Sequence, residues 1–205
     1  MCSPTTTVVK KLPNRTIAKD RRAILGCRGI NLFTPKTDYF APATVSIDEV
    51  VEECFRVNRA FPTSDVSVTK RDIASAFKLR RIHPDSARLF GTEFHGWGFE
   101  IGFDVVAFYL CLPFGWSGSP GEFASIARAI PKWHRSHAPS DPSWNSCHNF
   151  SSFLFVDDGI PVGPSLENRE EQSTSCLEEG ANLTFGIDAV SGGDSERRVY
   201  GKRRK

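Results

Sequence analysis

The sequence predicts an α+β fold in which helices pack on one face of a small antiparallel sheet. Its apolar patterns follow the order strand, helix, strand, helix, hairpin, helix, which favours this fold class. The chain has 205 residues, of which 40% are hydrophobic and 24% charged, so it can bury one large core or two small lobes. We therefore expect a globular protein of mixed helices and strands.

No apolar run approaches the roughly 18 residues that a membrane-spanning helix needs. The first residues, MCSPTTTVVKK, lack the apolar core of a signal peptide. The six cysteines are scattered and contain no CxxC pair, which predicts reduced thiols. These features predict an intracellular protein, cytoplasmic or nuclear, without a membrane partner.

The first elements lie before residue 65. Residues 23–33, AILGCRGINLF, read as a short apolar strand, and the proline-spaced residues 34–44 as a loop. A helix begins at Ser46, because Ser46 and Glu49 form a capping box ahead of an apolar stripe at helical spacing.

The middle of the chain predicts a strand over residues 65–72, DVSVTKRD, then a helical IASAFKLRRI and the two strand-like runs GFEIGFDV and VAFYLCLP. A second capping box, Ser119 with Glu122, predicts the next helix, which Pro131 ends or kinks.

The last elements are a polar loop over residues 138–149, a hairpin in FLFVDDGIPV with its acids at the turn, and a polar helix over about 166–179 that ends at Gly180.

Basic residues crowd both ends of a chain whose net charge is only +2. The two groups are Lys10, Lys11, Arg15, Lys19, Arg21, Arg22 and Arg28, and Arg197, Arg198, Lys202, Arg203, Arg204 and Lys205. This distribution favours a polyanionic partner, nucleic acid or nucleotide phosphates, although a merely solvated tail explains the second group equally well. We divide the chain into a basic N-terminal segment (1–45), a main domain (46–190) and a basic, disordered tail (191–205).

Three carboxylates end two of the predicted strands. Asp72 closes one strand, and Asp157 and Asp158 follow the apolar FLFV of another. If the strands are neighbours, these acids converge, and Mg²⁺ is commonly held by one or two carboxylates with water and substrate phosphates. A pair of such ions catalyses in-line phosphoryl transfer. The alternative is a hairpin turn at Asp158-Gly159, without any metal.

Four stretches, in order, resemble the motifs of reverse transcriptases of the retrotransposon type. RAILGCRGIN (22–31) resembles the fingers strand, with Gly26 where an acid is usual, and DIASAF (72–77) the first acidic motif. LPFGWSGSP (112–120) resembles the stretch between the acidic motifs. FVDD (155–158) resembles the tyrosine-x-Asp-Asp hairpin, with a phenylalanine for the tyrosine. The resemblance implies a polymerase palm with part of the fingers. Residues 1–45 would contribute partial fingers, and residues 46–190 would form the fingers and palm.

The resemblance also implies a role for individual residues. Asp72 and Asp157 would bridge Mg²⁺ or Mn²⁺, the Ile73 carbonyl would assist, and Asp158 would complete the acidic patch. Around an incoming deoxynucleoside triphosphate, Arg22 would contact the phosphates. Ala76 and Phe77 would lie beneath the nucleotide, with Phe77 excluding a 2′-hydroxyl. Gly115, Trp116 and Pro120 would shape the floor, and Phe114 would stand where the family contacts the sugar. Phe114 replaces a frequent glutamine.

Simpler interpretations stay open for several of these residues. Phe77 can be a core aromatic, Arg22 a solvated charge at a strand edge, and Trp116 a plug of the sheet. A zinc site is a further alternative, with the ligands His134, His137, Cys147 and His148.

Two classes of function follow. The first is template-directed DNA synthesis on an RNA or DNA template-primer, and the second is a non-catalytic remnant that binds nucleic acid through its basic ends. The final SGGDSERRVYGKRRK has no apolar periodicity for a thumb, and the lysine of the family's next motif has no clear counterpart. We therefore expect a truncated fragment that extends primers poorly or not at all. The sequence identifies no chain that would supply a thumb or RNase H domain.

Overall fold

The computed structural model divides the chain into two compact units, each built from two segments. The first combines Met1–Ala41 with Phe77–Phe123, and the second combines Pro42–Ala76 with Ala124–Lys205. The division predicted from the sequence, 1–45, 46–190 and 191–205, stays a prediction. The structure describes residues 5–11, 17–35, 37, 42, 44–94, 103–140, 149–187, 189–190 and 196–200, and of residues 5–11, 17–23 and 196–200 it describes the backbone only.

Helices and strands mix along the whole chain, as an α+β protein requires. In chain order they are β1 Thr5–Lys11, β2 Ile17–Leu25, α1 Arg28–Phe33, α2 Ile47–Ala60, β3 Val66–Asp72, α3 Ala76–Leu79, α4 Pro84–Ala87, a 3₁₀ turn Arg88–Phe90, β4 Gly91–Phe94, β5 Val105–Phe108, α5 Ser119–Ala127, α6 Ala129–Ser136, β6 Ser151–Phe155, β7 Asp158–Pro164, α7 Arg169–Phe185 and β8 Glu196–Tyr200.

The first unit contains two antiparallel strand pairs, β1 with β2 and β4 with β5. Leu25, Cys27 and Phe90 form its buried cluster, with Trp116 packed against them. The strand expected over residues 23–33 is only partly correct, because the chain leaves β2 at Leu25 and turns into helix α1. Of the expected strands GFEIGFDV and VAFYLCLP, residues 98–102 lie outside the described residues, and β5 covers the start of the second.

The second unit is organised around a four-stranded antiparallel sheet with the order β6-β7-β3-β8. Strand β8 comes from the segment that the sequence analysis assigned to a disordered tail. It pairs with β3 from Val66↔Tyr200 to Lys70↔Glu196. This pairing satisfies backbone groups along the edge of β3 that β7 leaves open.

Helices cover both faces of this sheet, so the expectation of helices on one face is wrong. Val57 of α2 packs with Val66 and Val162 on one face. On the other face Leu177 of α7 lies so close to Gly159 that a Cβ there would approach Leu177 Cδ2 to 2.8 Å. The reason is that β7 has buried residues on both of its faces, and each buried face of a sheet must pack against another element.

Helix α2 begins as predicted. The Ser46 amide donates to Glu49 Oε2 at 2.7 Å, and the Glu49 amide donates to Ser46 Oγ at 3.2 Å. This reciprocal capping box satisfies two amides of the first turn, which have no partner inside the helix. The helix then presents Val50, Cys54 and Val57 to the sheet.

The later helices depart from the prediction at their ends. Ser119 is the first residue of α5 and does not cap it. Its buried hydroxyl donates instead to the Pro113 carbonyl at 2.8 Å. The helix is interrupted at Arg128, between α5 and α6 and before Pro131. Pro131 lies in the first turn of α6, where a backbone amide has no partner inside the helix and its absence costs nothing. Gly180 lies inside α7 and does not end it. A glycine is needed there because a Cβ would approach Trp133 Cδ1 to 2.8 Å.

None of the helices in the described ranges is both long and apolar enough to cross a membrane.

Candidate functional site: an acidic cluster in the sheet

Three aspartates lie together at one end of the sheet in the second unit. Asp72, the last residue of β3, stands directly opposite Asp158, the first residue of β7, while Asp157 occupies the turn between β6 and β7. The Ile73 amide donates to the Asp157 carbonyl at 2.8 Å, which ties the turn to the end of β3. We call Asp72, Asp157 and Asp158 the acidic cluster. The sequence prediction that Asp72 and the hairpin acids converge is confirmed at the level of the strands.

The hairpin turn differs from the Asp-Gly turn that the sequence offered as an alternative. Its two central residues are Val156 and Asp157, since Phe155 and Asp158 pair across it. Asp158 and Gly159 already belong to β7, and Gly159 is required by the approach of α7 rather than by the turn.

The backbone on each side of the acids is strained. Val156 has φ 56° and Ser75 has φ 54°, the left-handed region that non-glycine residues rarely adopt. For a β-branched residue such as Val156 the cost is of order 1–3 kcal/mol, and such strain is concentrated at functional sites. The rest of the sheet therefore holds the turn, and with it Asp157, in a fixed conformation.

The proton affinity of Asp157 is shifted by its surroundings. Partial burial, followed by the nearby carboxylates of Asp158 and Asp72, raises the pKa of Asp157 above 3.8, while Lys70 partly opposes the shift. The Asp157 carboxylate thus lies in a place where a cation would be favourable.

Two basic residues precede Asp72, and alternation sends them to opposite faces of β3. Lys70 Nζ lies 3.0 Å from Asp158 Oδ2. Arg71 Nε lies 3.5 Å from Glu178 Oε1 of α7, on the other face. Sequence reasoning missed the Lys70–Asp158 pair, because it depends on the register between two strands that are far apart in the chain. The only available signal was a basic residue two positions before Asp72.

The donor chemistry of the cluster fits a divalent cation. In the ranges that the structure describes, no three His, Cys, Asp or Glu side chains form a group that could hold a metal ion as they stand. Mg²⁺, however, is typically bound through one or two carboxylates, with waters and substrate phosphates supplying the other oxygens. Two of the three aspartates would therefore be a sufficient protein contribution.

The other predicted site residues divide between the units. Ile73 and Ala76 are buried in the second unit. Arg22 lies in β2 opposite Val8, and its side chain is outside the described residues. The remaining predicted residues, Phe77, Phe114, Gly115 and Trp116, belong to the first unit.

Phe77 has aromatic neighbours inside the first unit. Its ring centroid lies 5.0 Å from that of Phe114 and 5.8 Å from that of Phe123, which is fully buried. These contacts are what a core aromatic makes, so they agree with the simpler interpretation of Phe77. They also fix the ring in place, as a steric gate requires.

The turn at residues 114–116 is held closely to β2 and α1. The Leu25 amide donates to the Phe114 carbonyl at 3.1 Å. Gly115 has φ 111° and accepts a hydrogen bond from Asn31 Nδ2 at 3.0 Å. Trp116 Nε1 donates to Thr34 Oγ1 at 3.3 Å. The glycine is required there, because both its φ and the adjacent Leu25 carbonyl exclude a side chain.

The zinc alternative can be followed for only two of its ligands, as Cys147 and His148 lie outside the described residues. His134 is fully buried and its Nε2 donates to the Ser173 carbonyl at 3.0 Å. The His137 ring stacks on Trp133 with centroids 3.5 Å apart. Both rings therefore have structural contacts within α6 and α7.

The cysteines that the structure describes are free thiols, as predicted: Cys27, Cys54, Cys111 and Cys176. Burial raises the pKa of Cys27 to about 11, so this thiol is neutral and unreactive.

No protein-family model and no curated protein matches the sequence. Any assignment of function therefore depends on the residues and geometry described above.

Proposed function

We propose that this chain is the palm, with part of the fingers, of a retrotransposon-type reverse transcriptase, which adds deoxynucleotides to a primer on an RNA or DNA template. The observation that carries the proposal is the acidic cluster: Asp72 and Asp158 are cross-strand partners, and Asp157 lies beside them in a strained turn. This grouping agrees with the order of the motifs that resemble the family.

Asp72 and Asp157 would hold Mg²⁺ or Mn²⁺ with help from the Ile73 carbonyl, and Asp158 would add negative charge beside them. A pair of such ions, when bound, activates the attacking hydroxyl and stabilises the leaving oxygen of phosphoryl transfer. The task of the chain itself is orientation. The strained turn and the hydrogen bond from Ile73 to the Asp157 carbonyl support this role, since they limit where the carboxylates can lie.

The resemblance assigns the nucleotide to Ala76, the last residue of its segment of the second unit, and otherwise to residues of the first unit. Arg22 would contact the triphosphate, and Ala76 and Phe77 would lie beneath the nucleotide. Gly115, Trp116 and Pro120 would form the floor, with Phe114 beside the sugar. The support for a floor is rigidity: three hydrogen bonds fix the turn at residues 114–116. A rigid platform restrains a bound nucleotide at little entropic cost.

Primer extension tests the proposal. The purified chain, a primed homopolymer, deoxynucleotides and Mg²⁺ or Mn²⁺ should give extension products at low salt. The Asp157→Asn variant should give none, and Asp65→Asn, which changes an exposed aspartate just before β3, should match the wild type. If the thumbless chain gives no products, the same pair of variants is compared after this region is grafted into a complete polymerase of the family. Extension by Asp157→Asn at the wild-type level, in either setting, would overturn the proposal.

A second candidate function is a non-catalytic nucleic-acid-binding remnant. The observation in its favour is the Lys70–Asp158 ion pair, because an ammonium group already neutralises one of the three acids. A remnant would bind a primer-template with an affinity that falls steeply with salt, as charge-driven contacts do. Binding by wild type and Asp157→Asn alike, without extension by either, is the result that favours it.

A further inference from the structure

The side chain of Lys70 shares a face of β3 with the side chain of Asp72, since the two residues are two positions apart in the strand. Asp158 faces Asp72 across the strand pair, and Lys70 Nζ reaches Asp158 Oδ2 at 3.0 Å. The ammonium group is thus a direct neighbour of the acidic cluster.

The exposure of the Lys70 side chain allows its ion pair with Asp158 to open. The Lys70 side chain is 47% exposed and the Asp158 side chain 21% exposed. A half-exposed lysine can rotate into water about four side-chain bonds, whereas the aspartates have short side chains on a backbone that the strands and the turn hold in place. Arg71 is directed to Glu178 on the other face of the sheet, so it does not replace Lys70 at the cluster.

We infer that Lys70 is a built-in counter-ion of the acidic cluster, which competes with a divalent metal ion for the carboxylates. The inference depends on the proposed function only for the class of ligand, a hard divalent cation. A metal ion that uses Asp158, or that binds beside it, must displace the ammonium group or bear its repulsion. Lys70 therefore sets the metal concentration at which the cluster fills.

Mn²⁺ binding to the metal-free chain tests this inference without any catalytic readout. Electron paramagnetic resonance measures free Mn²⁺ in titrations of wild type, Lys70→Met and Lys132→Met. Methionine keeps the apolar length of lysine and removes its charge. Lys132 is the matched control, an exposed lysine of α6 in the same unit. Lys70→Met should bind Mn²⁺ about three- to tenfold more tightly than wild type, and Lys132→Met should not.

Salt provides a second readout. The advantage of Lys70→Met should shrink when KCl is raised from about 0.05 M to about 0.5 M, because ions screen the ammonium charge in the wild type. Lys70→Gln serves as a second uncharged variant, and circular dichroism establishes that each variant is folded. The inference requires tighter binding in whichever of the two variants is folded.

The outcomes separate this inference from the proposed function. Equal affinity of wild type and Lys70→Met, or an equal gain in Lys132→Met, overturns the inference while leaving polymerase activity to its own test. Absence of Mn²⁺ binding in every variant overturns it together with the metal that the polymerase needs. A Lys70-dependent affinity without primer extension supports the inference and removes the polymerase proposal.

Discussion

Asp72 and Asp158 are direct partners across β3 and β7, so two carboxylates face each other in register. Like charges that stand directly opposite on antiparallel strands destabilise a sheet by roughly 0.2–1 kcal/mol. The Lys70 ammonium offsets part of this repulsion from the Asp158 side. The end of the sheet therefore holds negative charge at a cost in stability.

Asp72→Asn should raise the free energy of unfolding by about 0.2–1 kcal/mol, because it removes one charge of the cross-strand pair. Urea denaturation at neutral pH measures the change. Asp65→Asn, at an exposed position before β3, should leave the value within experimental error. If the proposed function is correct, the Asp72 variant should also lose primer extension. A less stable Asp72→Asn would mean that the charge is held by favourable contacts that outweigh the repulsion.

Asp157 should make stability fall as pH rises. Its pKa in the folded chain is raised above 3.8 by burial and by the Asp158 and Asp72 carboxylates, so the folded chain keeps this proton to higher pH than the unfolded chain does. The stabilisation is present in acid and is lost as pH rises through the raised pKa. Asp157→Asn should remove this loss, so its advantage over wild type should grow between about pH 3 and pH 7 in urea titrations. A constant difference over that range would contradict the shift.

Val156→Gly should stabilise the chain. Glycine adopts a positive φ without strain, and relief of roughly 1–3 kcal/mol exceeds the roughly 0.5–1 kcal/mol of added chain entropy in the unfolded state. We expect a net gain of about 1 kcal/mol in denaturant unfolding. The control is Val106→Gly in β5, where φ is not positive and the same substitution should destabilise. Equal losses in both variants would show that the turn stores no strain.

His134 should cause a loss of stability in acid. Burial, with smaller contributions from Arg169 and Arg135, lowers its pKa from 6.5 to about 4, and its Nδ1 has no hydrogen-bond partner among the described residues. Stability is fully present above pH 6.5 and falls as pH drops towards about 4, with a limit of about 3 kcal/mol.

Urea unfolding between about pH 4 and pH 7 measures the effect of His134. His134→Asn, which cannot titrate, should lose this part of the pH dependence. His83→Asn is the control, because His83 is exposed and asparagine can replace it as the cap of α4. The same pH dependence in wild type and His134→Asn would contradict the assignment.

Phe77 should affect both stability and sugar choice. Phe77→Ala removes ring contacts with Phe114 and Phe123 and should cost about 1–3 kcal/mol, less than for a fully buried ring. Phe77→Val, tested after grafting this region into a complete polymerase of the family, should let ribonucleotides in, because it opens space for a 2′-hydroxyl. Phe90→Leu, in the buried cluster of the first unit, is the control that should alter stability alone. Unchanged discrimination would leave Phe77 as a core aromatic only.

The sequence predicts those parts of the fold that short-range chemistry determines. The capping box of Ser46 and Glu49 places the start of α2 correctly, since both partners lie within one helical turn. The β6–β7 hairpin is likewise predicted by an apolar run that ends in polar residues. The convergence of Asp72 with the hairpin acids follows from where each strand ends.

The features that the sequence does not predict depend on distant neighbours. The sequence predicts that Gly180 ends a helix, yet Gly180 lies inside α7. The residue is a glycine because Trp133 leaves no room for a side chain. Ser119 reads as a cap but donates to the Pro113 carbonyl. The Lys70–Asp158 pair requires knowledge of strand register across most of the domain. Local patterns carry no information about such contacts.

The pairing of β3 with β7 has a consequence for the order in which the chain is made. Asp72 and its partner Asp158 are separated by the whole 77–123 segment, helix α6 and strand β6, so β3 leaves the ribosome long before β7 exists. At about 5–20 residues per second the delay is roughly 4–17 seconds. During that time both edges of β3 are open to pairing with other nascent chains. Lys70 and Arg71, which later pair with Asp158 and Glu178, place two positive charges in this open strand, and such charges disfavour its aggregation with other chains.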